Sequence, residues 1–355
     1  MSLRDKMRGC LIGGAIGDAL GWPVEFSSEQ HIFSKYGADG IRAFDLNARG
    51  VAEITDDTQM TLFTANGLLC AAAHGRETCP RGYVAQAYRD WLSTQRSVKP
   101  AGVSWLLDVP EPHARRAPGN ACLTYLSAQS DETNPCADYL RCRVSDSKGC
   151  GGIMRVAPMG LVRCDDIRMI DYEAAQLAAI THGHSLGFMP AAALAHIVNR
   201  LVYPAGDMDL RGIVIEARDT VSALFEGDGH LPALRKLIDL AVALAEGGSG
   251  SDLENIHRLG EGWVGEEALA IALYCALKYR DDFSAAVIAA VNHKGDSDST
   301  GAITGNILGA MTGYEAIDDA WKEKLELRDV ILEIADDMNE LADGKVAARY
   351  KKSPA

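Results

Sequence analysis

Gly9-Cys10-Leu11-Ile12-Gly13-Gly14-Ala15-Ile16-Gly17-Asp18-Ala19-Leu20-Gly21 opens the chain's first apolar stretch, and Gly301-Ala302-Ile303-Thr304-Gly305-Asn306-Ile307-Leu308-Gly309-Ala310-Met311-Thr312-Gly313 closes its last glycine-rich one. In both, glycine recurs at every fourth position. On a helix, residues four apart line one ridge. Each glycine costs a helix about 1 kcal/mol relative to alanine. Eight such positions need a compensating gain, and close helix–helix approach supplies one. Charges within and beside both segments exclude the membrane form of this pattern. The two stretches are therefore expected to be core helices in mutual contact.

Working outward, helical periodicity recurs. It covers residues 57–74, where Met60, Phe63, Leu68 and Leu69 share a spacing, and 172–182 and 187–203 around the turn His182-Gly183-His184. It also covers 208–227, 231–246, 265–279 and 319–343. No run of alternating strands with hairpin turns appears, so the expected fold is all-α, a compact multi-helix bundle. Residues 95–150 hold Pro100, Pro110, Pro112, Pro118 and Pro135 and read as irregular structure over the helical core. The tail from Lys351 reads as disordered. No linker composition interrupts the chain, so one domain over residues 1–355 is expected.

A formal charge of −14 on 355 residues argues against a nucleic-acid backbone as the main partner. It leaves room for a small phosphate-bearing ligand held by backbone N–H groups or cations. No stretch of eighteen uncharged apolar residues suggests a membrane span. Asp18 interrupts the apolar run after Arg4, Lys6 and Arg8, against a signal peptide. Nine cysteines without a Cys-x-x-Cys pair suit a reducing, cytoplasmic setting better than a disulfide scaffold. Cys150 has no histidine near it in sequence, which argues against a nucleophilic thiol.

Two acidic runs carry the chemistry. Thr55-Asp56-Asp57-Thr58 and Gly295-Asp296-Ser297-Asp298-Ser299-Thr300-Gly301 each open an expected helix. Threonine and aspartate are ordinary caps there. Two runs together gather more carboxylate than capping needs, and clustered carboxylates repel unless a cation intervenes. An oxygen-only donor set suits Mg2+, Mn2+ or Ca2+ rather than zinc. Pro23 ends the first glycine helix and frees Glu25 on a loop beyond it, while Asp18 sits within that helix.

Gly17-Asp18-Ala19-Leu20-Gly21-Trp22-Pro23-Val24-Glu25-Phe26, the Thr-Asp-Asp-Thr run and Gly295-Asp296-Ser297-Asp298-Ser299-Thr300-Gly301 resemble, in this order, the motifs of the ADP-ribosylglycohydrolase family. Pro118-Gly119-Asn120, Ser147 through Arg155, Thr181 through His184 and Gly262 through Ala268 extend the resemblance over about residues 7–315. It implies an all-α bundle with a binuclear Mg2+ or Mn2+ centre. Thr55, Asp56, Asp57, Asp296, Asp298 and Ser299 match the family's ligands. Glu25 and Asp57 are the implied catalytic carboxylates. Asn120, Lys148, Gly149, Cys150, Gly151, Gly152, Met154 and His182 match positions around ADP-ribose. This chain departs from many members in having Ser299 for threonine, and Lys148 or Cys150 for asparagine in the glycine loop.

The implied reaction is hydrolysis at the ribose of an ADP-ribosylated protein, with ADP-ribosyl-arginine the expected substrate. The glycine motifs resemble the arginine-directed branch more than the serine branch. Two other readings stay open: a catalytically inactive ADP-ribose-binding relative, and an immunity protein that neutralises an ADP-ribosyltransferase toxin by hydrolysis or occlusion.

Overall fold

A computed structural model describes residues 1–96, 102–128, 138–247 and 249–352. Pro100, Pro135 and residues 353–355 of the tail lie outside the described residues. Among those described there are seventeen α-helices and no sheet. They are α1 Leu3–Gly21, α2 Glu29–Tyr36, α3 Asp56–Ala73, α4 Arg81–Thr94, α5 Asn120–Ala128 and α6 Tyr139–Cys142. Then follow α7 Ala157–Gly160, α8 Ile167–Ala179, α9 Ser185–Val202, α10 Leu210–Leu224, α11 Leu231–Gly247 and α12 Asp252–Leu259. The series ends with α13 Gly265–Lys278, α14 Phe283–Val291, α15 Ser297–Thr312, α16 Asp319–Lys322 and α17 Arg328–Ala342.

The two glycine ridges meet at the centre. α1 and α15 run antiparallel in van der Waals contact. A Cβ added at Gly9 would stand 2.1 Å from Gly309 O, and one at Gly17 would stand 2.0 Å from Gly301 O. Such distances leave no room for any side chain, so the helix-propensity cost of glycine is offset by backbone-to-backbone packing. Gly313 departs from the expected ridge: with φ +81° it caps α15, its N–H bonded to Gly309 O at 2.9 Å. The pair is enclosed by α3, α9, α13, α14 and α17, and the buried apolar side chains form one continuous core. Within it, α9 is long and apolar enough to cross a membrane, yet 94% of that stretch is buried inside the protein, as a core helix should be.

Two expectations need correction. Residues 319–343 are not one helix. Leu327 takes a left-handed φ of +59°, and α17 starts after it. The intervening segment pairs with Ala52, whose N–H reaches Lys324 O at 2.8 Å while Glu326 N–H reaches Ala52 O at 3.0 Å. The second correction concerns residues 95–150, which are not wholly irregular: α5 and α6 form inside them. Helices α2, α4, α12 and α14 carry no expectation from periodicity. Helices α2 and α12 are only eight residues long with few buried positions, α4 buries Asp90 and Thr94 among its apolar positions, which interrupts an apolar stripe, and α14 is apolar all round.

Candidate active site

The site forms where the N-termini of α3 and α15 face the end of α1. Asp18, fully buried on α1, accepts hydrogen bonds from Thr55 N at 3.0 Å and Thr58 N at 3.1 Å. It thereby ties the start of α3 to α1. Thr55 caps α3 by accepting from Asp57 N at 3.2 Å. Asp296 caps α15 by accepting from Ser299 N at 3.3 Å. Gly295, with φ +126°, lies against Glu261 O, where a Cβ would stand 2.0 Å away. That approach turns Asp296 inward. His293 supports the loop from beneath, bonded to Thr300 Oγ1 at 3.0 Å.

These elements bring Glu25, Asp56, Asp57, Asp296, Asp298 and Ser299 to the wall of one cavity of about 370 Å3. Glu25 follows a 3-10 turn, Trp22–Val24, that continues directly from α1. Carboxylate oxygens of Glu25, Asp296 and Asp298 lie within 4.8 Å of one another. Glu25 Oε2 and Asp57 Oδ2 are buried with no hydrogen-bond partner among the described residues. Burial first, then the charges of Asp298, Asp296 and Asp56, pushes Glu25 up to about 11. Burial and then Asp298 lifts Asp18 to about 7. Burial together with neighbouring carboxylates holds Asp56, Asp57 and Asp298 well above the usual carboxylate range. A cluster with orphaned oxygens and mutual repulsion fits a divalent-cation site in its donor chemistry.

The facing wall comes from the glycine-rich loop and the segment before α5. Asn120, Gly149, Cys150, Gly151, Met154 and His182 line the cavity. His182 is buried and pushed down to about 3, by burial first and then by the charge of Arg155, so the ring is neutral. Burial, then Asp296 and Asp57, pushes the Cys150 thiol well up, and its Sγ donates to Asp296 Oδ2 at 2.6 Å. A protonated thiol is a poor nucleophile.

Three residues matched to the site stand outside the cavity wall. Lys148 turns to Glu266, Nζ to Oε1 2.6 Å, so its charge is spent on a buried carboxylate rather than aimed at a diphosphate. Gly152 packs on α9, where a Cβ would stand 2.7 Å from Gly187 O. Thr55 is fully buried beneath the carboxylates as a cap. Ser147, at the start of the loop matched to ADP-ribose, also lines the cavity; conversely, Phe26, Cys122 and Trp263 line it without having been assigned to it. Phe26 and Trp263 stack with centroids 5.7 Å apart and are 72% and 38% exposed. An aromatic directly after Glu25 and another in the quoted 262–268 motif were the available signals.

Fold and site together define an all-helical protein with a carboxylate-lined cleft. The chain belongs to the ADP-ribosylglycohydrolase family, whose model matches residues 1–348; its members are hydrolases that act on glycosidic bonds. Over 333 residues it is 25% identical to an ADP-ribosyl-[dinitrogen reductase] glycohydrolase of Rhodospirillum rubrum, covering 92% of each chain. It is 23% identical to an ADP-ribosylarginine hydrolase of Pseudomonas putida, covering 94% of this chain and 78% of that one. Among solved structures, an ADP-ribosylglycohydrolase-related protein complex matches with TM-score 0.65 and 23% identity over 96% of this chain and 99% of that one.

Proposed function

We propose that this protein hydrolyses the bond between ADP-ribose and a modified arginine side chain, with two divalent cations, Mg2+ or Mn2+, held by Asp56, Asp57, Asp296, Asp298 and Ser299. The observation that carries the reading is the set of buried, partly orphaned carboxylates at one wall of a cleft whose other wall is the glycine-rich loop. Bound there, cations supply Lewis acidity and offset the carboxylate charge.

The chain's own residues divide the remaining work. Gly149 and Gly151 bring backbone close to the ligand without side-chain obstruction, which suits a diphosphate. Cations bound in the corner would lower the raised values of its carboxyl groups, and Glu25, ionised in that state and with one oxygen unpartnered among the described residues, accepts the proton of the attacking water; Asp57, likewise with one unpartnered oxygen, is placed to share that role. Hydrolysis at the ribose passes through an oxocarbenium-like transition state, which negative charge at the wall stabilises. The stacked Phe26 and Trp263 offer a face to a planar group of the ligand.

Arginine linkage is supported by charge. A modified arginine keeps a guanidinium-like positive charge, and a protein of net charge −14 attracts it toward an acidic cleft. Screening over about 8 Å at physiological salt limits that attraction to the mouth itself. Free cysteines among the described residues are compatible with action in the cytoplasm. The test is the ratio of kcat/KM on matched peptides ADP-ribosylated at arginine or at serine, with Mg2+ and with chelator. A ratio above ten for arginine is expected. A ratio favouring serine overturns the arginine assignment, and no release from either peptide overturns the hydrolase reading.

A further inference from the structure

Arg155 follows Met154 in the glycine-rich loop, but its side chain is fully buried and does not line the cavity. Buried arginines are ordinarily paired with carboxylates. Here, among the described residues, every polar partner is neutral. Nη2 donates to Thr181 Oγ1 at 2.6 Å and to Leu177 O at 3.5 Å. Nη1 meets Cys122 Sγ at 3.2 Å and Met60 Sδ at 3.5 Å, and the guanidinium lies 4.3 Å from the centroid of the Tyr88 ring.

Hydrogen-bond accounting then selects between the arrangements beyond it. A guanidinium has donors only, so Thr181 Oγ1 accepts from Arg155 and retains one hydrogen to give. His182 Nδ1 lies 2.8 Å from that same oxygen. Cys122 Sγ is a weaker acceptor and already receives Arg155 Nη1. Oγ1 has a second lone pair, but were it to accept from Nδ1 as well, its own hydrogen would be left to the weak acceptor Cys122 Sγ; giving that hydrogen to Nδ1 makes the stronger set of bonds, and a neutral ring that accepts at Nδ1 carries its own hydrogen on Nε2. Nε2 faces the two loop glycines: a Cβ at Gly149 would stand 3.4 Å from it and one at Gly151 3.1 Å. Those glycines keep the nitrogen clear.

We propose that Arg155, acting through Thr181, is a positioning residue that holds His182 as the Nε2–H tautomer, so that the ring presents one uncharged hydrogen-bond donor to an acceptor oxygen of the ADP-ribose diphosphate. The choice of ligand rests on the hydrolase reading above; the relay itself does not. A protonated ring would set a second positive charge beside Arg155, which is why the arrangement delivers a donor without delivering charge.

The experiment is nitrogen-resolved NMR of the full chain with 15N-labelled histidine, free of ligand, followed by ADP-ribose titration. The expected result is a hydrogen-bearing Nε2 and a bare Nδ1 for His182 in the wild-type protein. Thr181→Val keeps the side-chain shape but removes the hydroxyl. It should mix or switch the tautomers and weaken ADP-ribose binding about tenfold, the scale of one hydrogen bond. Thr181→Ser should restore both. A wild-type hydrogen on Nδ1, or a Thr181→Val protein with an unchanged tautomer, overturns the proposal. If Thr181→Val does not fold, the wild-type and Thr181→Ser tautomers decide it. Because the tautomer is read without ligand, failure of ADP-ribose to bind wild-type protein counts against the hydrolase reading alone.

Discussion

Gly13 and Gly305 stand backbone to backbone: a Cβ at Gly13 would lie 2.2 Å from Gly305 O, and one at Gly305 would lie 1.9 Å from Gly13 O. The contact sets the register of α1 against α15, and the site follows from that register. One turn further along the seam Gly17 meets Gly301. One turn beyond that, a Cβ at Gly21 would stand 2.5 Å from Asp298 Cα. The seam thus delivers Asp18 and Glu25 from one chain end and Asp296 and Asp298 from the other into a single corner.

Gly305→Ala should therefore destabilise the protein even though alanine is the better helix former. The propensity gain is about 1 kcal/mol. Forcing a methyl against a backbone carbonyl that cannot rotate aside costs about 3 kcal/mol or more, so a net loss of roughly 2 kcal/mol or more is expected. Gly247→Ala, in α11 with nothing among the described residues within 4 Å of the added Cβ, should be neutral or stabilising by up to about 1 kcal/mol. Urea denaturation of the two variants separates packing from propensity; equal effects would mean that the seam does not need glycine.

Glu25→Gln tests the proton acceptor. The amide keeps the size of the carboxyl group and removes its basicity, so kcat should fall by about 10^2–10^4, the usual range for a general base. The dissociation constant for ADP-ribose should change less than about threefold, because Glu25 faces the carboxylate corner rather than the glycine loop. Turnover and calorimetry on the same preparation check both halves. Unchanged kcat would move the role to Asp57.

Much of this arrangement was legible in the chain itself, for physical reasons. Glycine at every fourth residue can mean little but close helix contact, and paired acidic runs at two helix starts exceed what capping needs. Distances between segments far apart in sequence were not legible. Arg116 pairs with Glu326 at 2.9 Å across 210 positions, and Glu326 also accepts from Ile54 N at 3.1 Å. This bracing of the α3 entrance is invisible to periodicity, as is the break at Leu327 that makes it possible. The direction of Lys148 was equally hidden, because a loop lysine can swing to either side and only the fold places Glu266 within reach.

Lys148→Ala should accordingly act on stability and not on substrate affinity. Glu266 is buried and its Oε2 lacks a partner among the described residues, while the Lys148 side chain is 42% exposed. The pair falls between the surface and buried extremes, so a loss of about 1–2 kcal/mol is expected. KM for the ADP-ribosylated peptide should shift less than about threefold, since Lys148 does not line the cavity. A tenfold rise in KM without a change in stability would return Lys148 to the ligand.

Metal and proton should compete for the carboxylate corner, and the sign of that competition is fixed. Burial and mutual charge raise Asp18 to about 7 and Glu25 to about 11, and hold Asp56, Asp57 and Asp298 well above their ordinary values. A carboxyl group with a raised value keeps its proton in the folded protein after the unfolded chain has lost it. Its contribution is thus most favourable at low pH and is lost as pH rises from about 4 through the raised value. Chelated protein should therefore lose thermal stability between about pH 5 and pH 8, whereas excess Mg2+ or Mn2+, binding only the ionised corner of the folded state, should suppress that loss. His182 works the other way. With its value pushed down to about 3, it costs stability as pH falls below about 6.5, but it does so with or without cation and cancels in the difference. The measurement is the gap in Tm between cation-loaded and chelated samples, which should widen from about pH 5 to about pH 8. A gap that is absent, or that narrows as pH rises, would remove the cations from this corner.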